Sequence, residues 1–211
     1  MRARTNWTVI TGGPSSGKTT TIGILRRRGF TTTIEHARHF IDTMRVTGKS
    51  VAEIRSNQMA FQRGVMEMQI EQERMLDPAK LVFLDRALPD GLAYHRYLGL
   101  TVAPEYLSAI HPGVYRAVFV MDLLPLKADY ARSEDQVAQK EIHRLLVEVY
   151  LELGYQPVAV PPLAPEARVD FILAALAADE TRSDAGGQDP RTAAPGQIGP
   201  AQQGPGGRIL R

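Results

Sequence analysis

The fold of this chain is decided near its start by the stretch Gly12-Gly13-Pro14-Ser15-Ser16-Gly17-Lys18-Thr19. This stretch matches the pattern G-x-x-x-x-G-K-[ST] in full, and its glycines let consecutive backbone N–H groups turn into one concavity that holds phosphates. Lys18 is expected to reach the β- and γ-phosphates of ATP and to be catalytic, and Thr19 to offer its hydroxyl to Mg²⁺. Thr20, the next residue, completes the predicted nucleotide-binding set.

The sequence on either side of this phosphate loop supports the interpretation. Trp7–Thr11 is an apolar, β-rich run that predicts a strand, and residues 17–28 predict a helix that stops at Gly29. The positive end of that helix would then lie beneath the phosphates. The alternative is a Gly-Ser-Pro turn that binds no ligand. Such a turn would not explain why every position of the motif is present between a strand and a helix.

Short β-rich runs alternate with helical runs over residues 1–178, which indicates a parallel sheet with right-handed crossovers. We therefore predict an α/β, three-layer P-loop NTPase fold with about five strands. The predicted strands are 7–11, 30–35, 81–85, 117–121 and 157–160. The main predicted helices are 17–28, 36–44, 50–76, 136–153 and 165–178, with short helices between 90 and 110.

A second signal is the acid that ends the run Leu81-Val82-Phe83-Leu84-Asp85. It looks like a Walker B strand, in which the aspartate holds Mg²⁺ through water, although an aspartate that caps the next helix is the alternative. Arg86 stands where many hydrolysing P-loop ATPases carry a glutamate, which favours phosphoryl transfer to a substrate. The sequence has no Asn-Lys-x-Asp guanine reader and no Leu-Ser-Gly-Gly-Gln signature, which argues against a Ras-like GTPase and a transporter ATPase.

Composition bounds the class of protein. The 211 residues carry a net charge of only +2, which favours neither a nucleic-acid nor a membrane partner. The absence of cysteine excludes disulfides, zinc-thiolate sites and thiol nucleophiles. No apolar run has the length of a signal peptide or a membrane span, so we expect a cytoplasmic protein. The Gly- and Pro-rich residues 179–211 are predicted to form a disordered tail after a domain over residues 1–178.

Three further stretches accompany the phosphate loop. They are Glu35-His36-Ala37-Arg38, then Asp85-Arg86-Ala87-Leu88-Pro89-Asp90 with Tyr94 following, then Pro125 through Asp129 to Arg132. Together with the loop they resemble the NadR-type AAA domain family, which includes bacterial ribosylnicotinamide kinase domains. The resemblance covers residues 6 to 176. It leaves the substrate open, because members of the family differ in what they bind.

The resemblance implies roles for individual residues. Glu35 occupies the place of an acid that faces the acceptor hydroxyl in related kinases, as general base or as ligand. Arg38 and Asp90 would belong to the acceptor site, and Arg86 would be a catalytic residue that contacts the acceptor or its phosphate. Arg132 lies where such kinases carry a lid and would neutralise charge on the transferring phosphoryl group.

Alternatives stay open for several of these residues. Glu35 and Arg38 could form an i, i+3 ion pair on a helix surface, and Arg132 could be a surface arginine paired with a neighbouring acid. Lys127 is a weaker candidate for the lid. His36 and His39 are three apart, but without a third ligand they do not predict a metal site.

These residues predict an ATP-dependent kinase of a small, nucleoside-like metabolite, with Mg²⁺ held by Thr19 and Asp85. The competing hypothesis is a nucleotide-switched binding protein or regulatory ATPase without a small-molecule acceptor. The two differ in what should lie beside Glu35 and Arg86. An empty cavity there favours the kinase, and a closed surface favours the switch.

Overall fold

The computed structural model describes residues 3–125 and 135–185, with side chains as far as residue 181. The chain divides into two compact units, residues 1–176 and 177–211. The first unit contains the sheet and the predicted site. Of the second, the structure describes residues 177–185, which end the last helix. Arg132 and Lys127 lie outside the described residues, as does the predicted tail from residue 186 onward.

Five parallel strands form one sheet in the order β2-β3-β1-β4-β5. They are β1 (Trp7–Thr11), β2 (Thr31–Thr32), β3 (Val82–Asp85), β4 (Ala117–Met121) and β5 (Val158–Val160). The central strand β1 pairs with β3 on one side, where Val9 lies opposite Leu84, and with β4 on the other, where Val9 lies opposite Val118. The predicted α/β P-loop NTPase fold is thereby confirmed.

The described residues also form eight helices, which flank the sheet. They are α1 (Lys18–Arg27), α2 (His36–Val46), α3 (Val51–Ser56), α4 (Gln58–Met75), α5 (Leu88–Tyr97), α6 (Pro104–Ala109), α7 (Gln136–Glu152) and α8 (Pro165–Ala185). None of them combines the length and the apolar character that a membrane-crossing helix needs.

Alternate side chains of the strands enter two separate cores, one on each face of the sheet. Trp7, Val9 and Leu84 pack on one face, in a cluster completed by Val118 and Tyr150. The other cluster contains Ile10, Leu25, Phe83, Phe119 and Ile172. Strands buried on both faces are continuous apolar runs, which is why β1, β3 and β4 were visible in the sequence.

The observed elements differ from the predicted ones in three places. The single helix predicted over 50–76 is two helices, because Asn57 leaves the helical conformation and its side chain accepts a hydrogen bond from the backbone of Ala60 at the start of α4. The second strand is only Thr31–Thr32, and the hydroxyl of Thr33, the next residue, accepts a hydrogen bond from the backbone N–H of Asp85 on β3. The last helix runs seven residues beyond the predicted end at residue 178 and finishes at Ala185.

Candidate active site

The phosphate loop lies between β1 and α1, at the carboxyl edge of the sheet. Gly12 has φ +141°, and a Cβ atom at that position would lie 2.6 Å from the carbonyl oxygen of Met121 on β4. Only glycine therefore lets the loop leave β1 so close to the neighbouring strand. The structure places the predicted nucleotide-binding residues, Gly12 to Thr20, on this loop and on the first turn of α1.

Lys18 is buried inside the loop. Its Nζ atom donates to the carbonyl oxygens of Gly12 at 2.7 Å and Gly13 at 2.9 Å, and to the hydroxyl of Ser16 at 3.1 Å. The ammonium group is therefore held at the mouth of the concavity, next to the backbone N–H groups. This arrangement places the positive charge of Lys18 at the loop that the motif predicts to bind phosphates.

Asp85 ends β3 beside the loop, and its side chain is almost completely buried. Its Oδ1 atom makes no hydrogen bond in the described part of the chain. Burial raises the pKa of Asp85 to about 7, and the nearby Glu35 carboxylate adds to the rise, while the Lys18 ammonium opposes it. Asp85 does not cap α5, because the N–H groups of Ala87 and Leu88 donate to other carboxylates. The helix-cap alternative is therefore wrong.

A Mg²⁺ ion fits this site. A buried carboxylate oxygen without a partner is a suitable ligand for a hard cation, and the Thr19 hydroxyl is exposed on the first turn of α1. Mg²⁺ in kinase sites takes one or two protein ligands and completes its shell with phosphates and water. The described residues accordingly contain no cluster of three His, Cys, Asp or Glu side chains that would form an all-protein metal site.

Glu35, Arg38 and Arg86 meet at the other side of the loop. Glu35 precedes α2, and its carboxylate lies 3.4 Å from Nε of Arg86 and 3.7 Å from Nε of Arg38. The side chains are 13%, 11% and 26% exposed in the order Glu35, Arg86, Arg38. The expected i, i+3 pair is thus present, but it faces a cavity instead of open surface. Burial lowers the pKa of Arg86. The neighbouring groups, most strongly Tyr94 and Asp90, raise it by more, so the pKa lies above its ordinary value.

Asp90 is a buried anchor. Its Oδ1 accepts from the Thr11 hydroxyl at 2.5 Å and from Nη1 of Arg86 at 3.0 Å. Its Oδ2 accepts from the Tyr150 hydroxyl at 2.7 Å and from the N–H of Ala87 at 3.2 Å. Both oxygens are therefore fully used. The geometry fits a residue that holds Arg86, which the sequence alone did not indicate.

Arg86 itself occupies an uncommon backbone conformation, with φ +70°. Its backbone N–H still donates to Ile10 on β1, and its Nη2 atom donates to the hydroxyl of Tyr94 at 3.1 Å. A non-glycine residue with positive φ carries strain, and such strain concentrates at functional sites. The Arg86 side chain is one of those that line the cavity described next.

A cavity of about 310 Å³ opens beside these residues. At one end lie Pro14 of the phosphate loop, Glu35 and Arg86. Most of the remaining wall comes from α2, α4 and α5, with Arg55 of α3 and Ala138 of α7, and it includes Ile41, Phe61, Gln62, Met66, Gly91, Tyr94 and Tyr97. Its size falls at the lower end of the range for small-molecule sites, and its wall combines apolar side chains with several charged and amide side chains, among them Arg38, Arg55 and Gln69.

Sequence reasoning missed three residues of this region. Gln62 on α4 lines the cavity, while Gln139 on α7 and Arg168 on α8 contact the phosphate loop from its outer side. Gln139 and Arg168 are 125 and 152 positions from the loop residues they contact. No local pattern connects residues so far apart, so only the folded chain reveals them.

Comparison with known proteins places the chain in a family. The profile of an AAA domain family matches residues 7–168, which is most of the chain. The chain belongs to this AAA domain family. No curated protein sequence matches it.

Solved structures share the fold of this AAA domain. Deoxyadenosine kinase from M. mycoides, with dCMP and dCDP bound, superposes with a TM-score of 0.57 at 13% identity, over 82% of this chain and 98% of that chain. The NadR protein in complex with NR gives a TM-score of 0.56 at 18% identity, over 73% of this chain. Thymidylate kinase from Candida albicans gives 0.52 at 14% identity, over 85% of this chain and 94% of that chain. The AAA domain spans 43% of the NadR protein.

Proposed function

We propose that this AAA domain protein is an Mg²⁺-dependent kinase that transfers the γ-phosphoryl group of ATP to a hydroxyl of a small, nucleoside-like metabolite. The observation that carries the proposal is the cavity beside the phosphate loop, with Glu35 and Arg86 at the end near Pro14. A nucleotide-switched protein without an acceptor has no need for a cavity there. The structural neighbours named above, which act on nucleosides or nucleotides, are consistent with this choice.

The transfer requires positioning and charge neutralisation more than covalent chemistry by the protein. Glu35 takes the proton of the acceptor hydroxyl, and the oxygen of that hydroxyl bonds to the γ-phosphorus. The bond from the γ-phosphorus to the β,γ-bridging oxygen breaks. ADP leaves with the electron pair. Lys18 and Arg86 neutralise charge on the phosphoryl group. Mg²⁺, held by Thr19 and Asp85, supplies further neutralisation on the phosphates.

Gln62 supports a nucleoside-like acceptor. Its side chain is 6% exposed and lines the cavity, and within the described part of the chain its carboxamide makes no hydrogen bond. The carboxamide faces the cavity, where a ligand can pair with it, and a hydrogen bond of this kind contributes about 0.5–1.5 kcal/mol. A carboxamide presents a donor beside an acceptor, which matches the edge of a planar heterocycle.

The spacing along α4 supports the same choice. Met66 packs against Gly91, and both residues line the cavity. Gln62 is one helical turn from Met66, and four residues of helix span about 6 Å. An acceptor whose hydroxyl lies at Glu35 would therefore place a planar ring near Gln62, with Tyr94 and Tyr97 beside it.

The test is consumption of ATP over a panel of nucleosides, sugars and vitamins, with a control that lacks acceptor. One acceptor should raise turnover well above the control. Glu35→Gln should then lower acceptor-dependent turnover by about a hundredfold or more, the usual share of a general base. Its affinity for ATP and its slow hydrolysis without acceptor should stay near wild type, because the phosphate loop is unchanged.

Two further variants make the result specific. Glu71→Gln changes an exposed glutamate on α4 and should turn over like wild type. Arg132→Ala should depress both acceptor-dependent turnover and hydrolysis, because a lid cation stabilises the γ-phosphoryl group whatever attacks it. If Glu35→Gln and wild type use every acceptor equally, the kinase proposal fails and the nucleotide switch replaces it.

A further inference from the structure

The carbonyl groups of the phosphate loop are held from outside by two buried side chains. Nε2 of Gln139 on α7 donates to the carbonyl oxygen of Pro14 at 2.9 Å. Nη1 of Arg168 on α8 donates to the carbonyl oxygen of Ser16 at 3.4 Å. The two side chains therefore reach alternate carbonyls of the loop from different helices.

Each of these hydrogen bonds fixes one peptide plane. In a trans peptide the C=O of one residue and the N–H of the next point in opposite directions, and the described residues contain no cis bond. With the carbonyl oxygens of Pro14 and Ser16 held outward, the N–H groups of Ser15 and Gly17 point towards the concavity. We infer that Gln139 and Arg168 are positioning residues that orient these two N–H groups for the phosphates of a bound nucleotide.

Both side chains are themselves held in place. Gln139 is 3% exposed, and its Nε2 also donates to the carbonyl oxygen of Leu124 at 2.9 Å. Arg168 is 6% exposed, and its Nε donates to the carbonyl oxygen of Leu163 at 2.6 Å. Gly17 leaves room for the guanidinium, since a Cβ atom at this position would collide with Nη1 of Arg168. The pair is thus rigid enough to set the shape of the loop.

Arg168 adds charge to this arrangement. Among the described residues no carboxylate lies within ion-pair distance of it, although it is buried. Arg28, which follows α1, shows the contrast, because Asp170 and Glu166 both lie 2.6 Å from it. A buried charge without a counter-charge is costly. Phosphates on the loop would supply the missing negative charge to Arg168.

The inference requires only that the loop binds phosphates, and it is independent of any acceptor. It is tested by calorimetric titration of Arg168→Met and Gln139→Met with ATP and with inorganic tripolyphosphate. Each variant should bind both probes about tenfold or more weakly, the effect of one lost hydrogen bond of this kind. The controls are Arg28→Met, an exposed arginine that pairs with α8, and Gln136→Met, an exposed glutamine on α7. Both should bind within twofold of wild type.

A spectroscopic readout separates positioning from mere stability. Tripolyphosphate should shift the backbone amide protons of Ser15 and Gly17 in wild type, because both N–H groups donate to it. The Ser15 shift should shrink in Gln139→Met and the Gly17 shift in Arg168→Met. Because the two side chains shape one loop, the double variant should lose less than the product of the single losses.

Three results would overturn the inference. One is binding of tripolyphosphate by both variants within twofold of wild type. A second is weaker binding of ATP alone, which would assign the side chains to the nucleoside part. A third is amide shifts equal to those of wild type. If Arg168→Met does not fold, Arg168→Gln takes its place, since it keeps a donor but lacks the charge, and wild-type affinity in that variant would overturn the role of the charge.

Discussion

Asp90→Asn is the substitution whose effect follows most directly from the structure. In the wild type, four donors surround the carboxylate: the Thr11 hydroxyl and Arg86 at Oδ1, and the Tyr150 hydroxyl and the Ala87 N–H at Oδ2. An asparagine carries one oxygen and one NH₂ group. The two hydroxyls can rotate to accept, but Arg86 and the Ala87 N–H can only donate. Whichever way the amide is turned, one of these two N–H donors faces another donor.

The magnitude follows from the same contacts. The variant loses one of the two buried charge partners of Arg86, since Glu35 remains, and leaves one buried N–H group unsatisfied. Breaking a buried pair in this way costs about 3–5 kcal/mol. For a chain of this size that corresponds to a melting temperature lower by about 6–20 °C. Because Arg86 loses its anchor, acceptor-dependent turnover should fall further than ATP affinity.

Chemical denaturation and calorimetry measure both effects. Asp170→Asn is the matched control: its carboxylate is 65% exposed and pairs with Arg28, so its loss should change the free energy of unfolding by less than about 1 kcal/mol. Tyr150→Phe removes a single hydrogen bond to Asp90 and should cost about 1 kcal/mol. An Asp90→Asn protein within 1 kcal/mol of the wild type would refute the argument that Asp90 anchors this site.

Three other predictions concern different parts of the chain. Lys18→Ala should weaken ATP binding by about 1.5–3 kcal/mol in calorimetry, since its charge-assisted contacts to phosphate are lost, and unchanged affinity would contradict the assignment of the loop. His36 has its pKa lowered to about 4 by burial and by His39, so the unfolded chain binds a proton there between about pH 4 and 6.5 that the folded chain does not. Stability should therefore decrease as pH falls through this window, by about 2 kcal/mol at pH 5, and His36→Gln should flatten that part of the melting profile. Truncation after Ala185 should leave the melting temperature and ATP affinity within error of the full chain, because the removed sequence is poor in apolar residues; a large drop in either would show that it packs.

Sequence reasoning succeeded where the signal is local. The phosphate loop is one continuous motif, and β3 and β4 are continuous apolar runs whose predicted bounds differ from the observed ones by at most one residue. The family resemblance also assigned Glu35 and Arg86 to one acceptor site, and both residues follow strands of one parallel sheet, whose carboxyl ends share an edge. Their approach to 3.4 Å fits that logic.

The failures have a common physical origin. The break at Asn57 depends on a side chain that accepts the Ala60 N–H, which a helical pattern of apolar residues does not reveal. Gln62, Gln139 and Arg168 look like ordinary polar residues of amphipathic helices. Their significance comes from what the fold places opposite them, and long-range packing of this kind leaves no local trace in one sequence.

The strand order also determines when the nucleotide site can form during synthesis. The central strand β1 is made early, but its two neighbours, β3 and β4, follow only at Val82–Asp85 and Ala117–Met121. Pairings between distant segments are slow to form because a long loop must close first. The nascent β1 therefore keeps both edges unpaired until Asp85 has left the ribosome, and one edge unpaired until Met121 has followed. ATP cannot stabilise the chain before that point, and the exposed β1 edges are where we expect chaperones to bind or aggregation to begin.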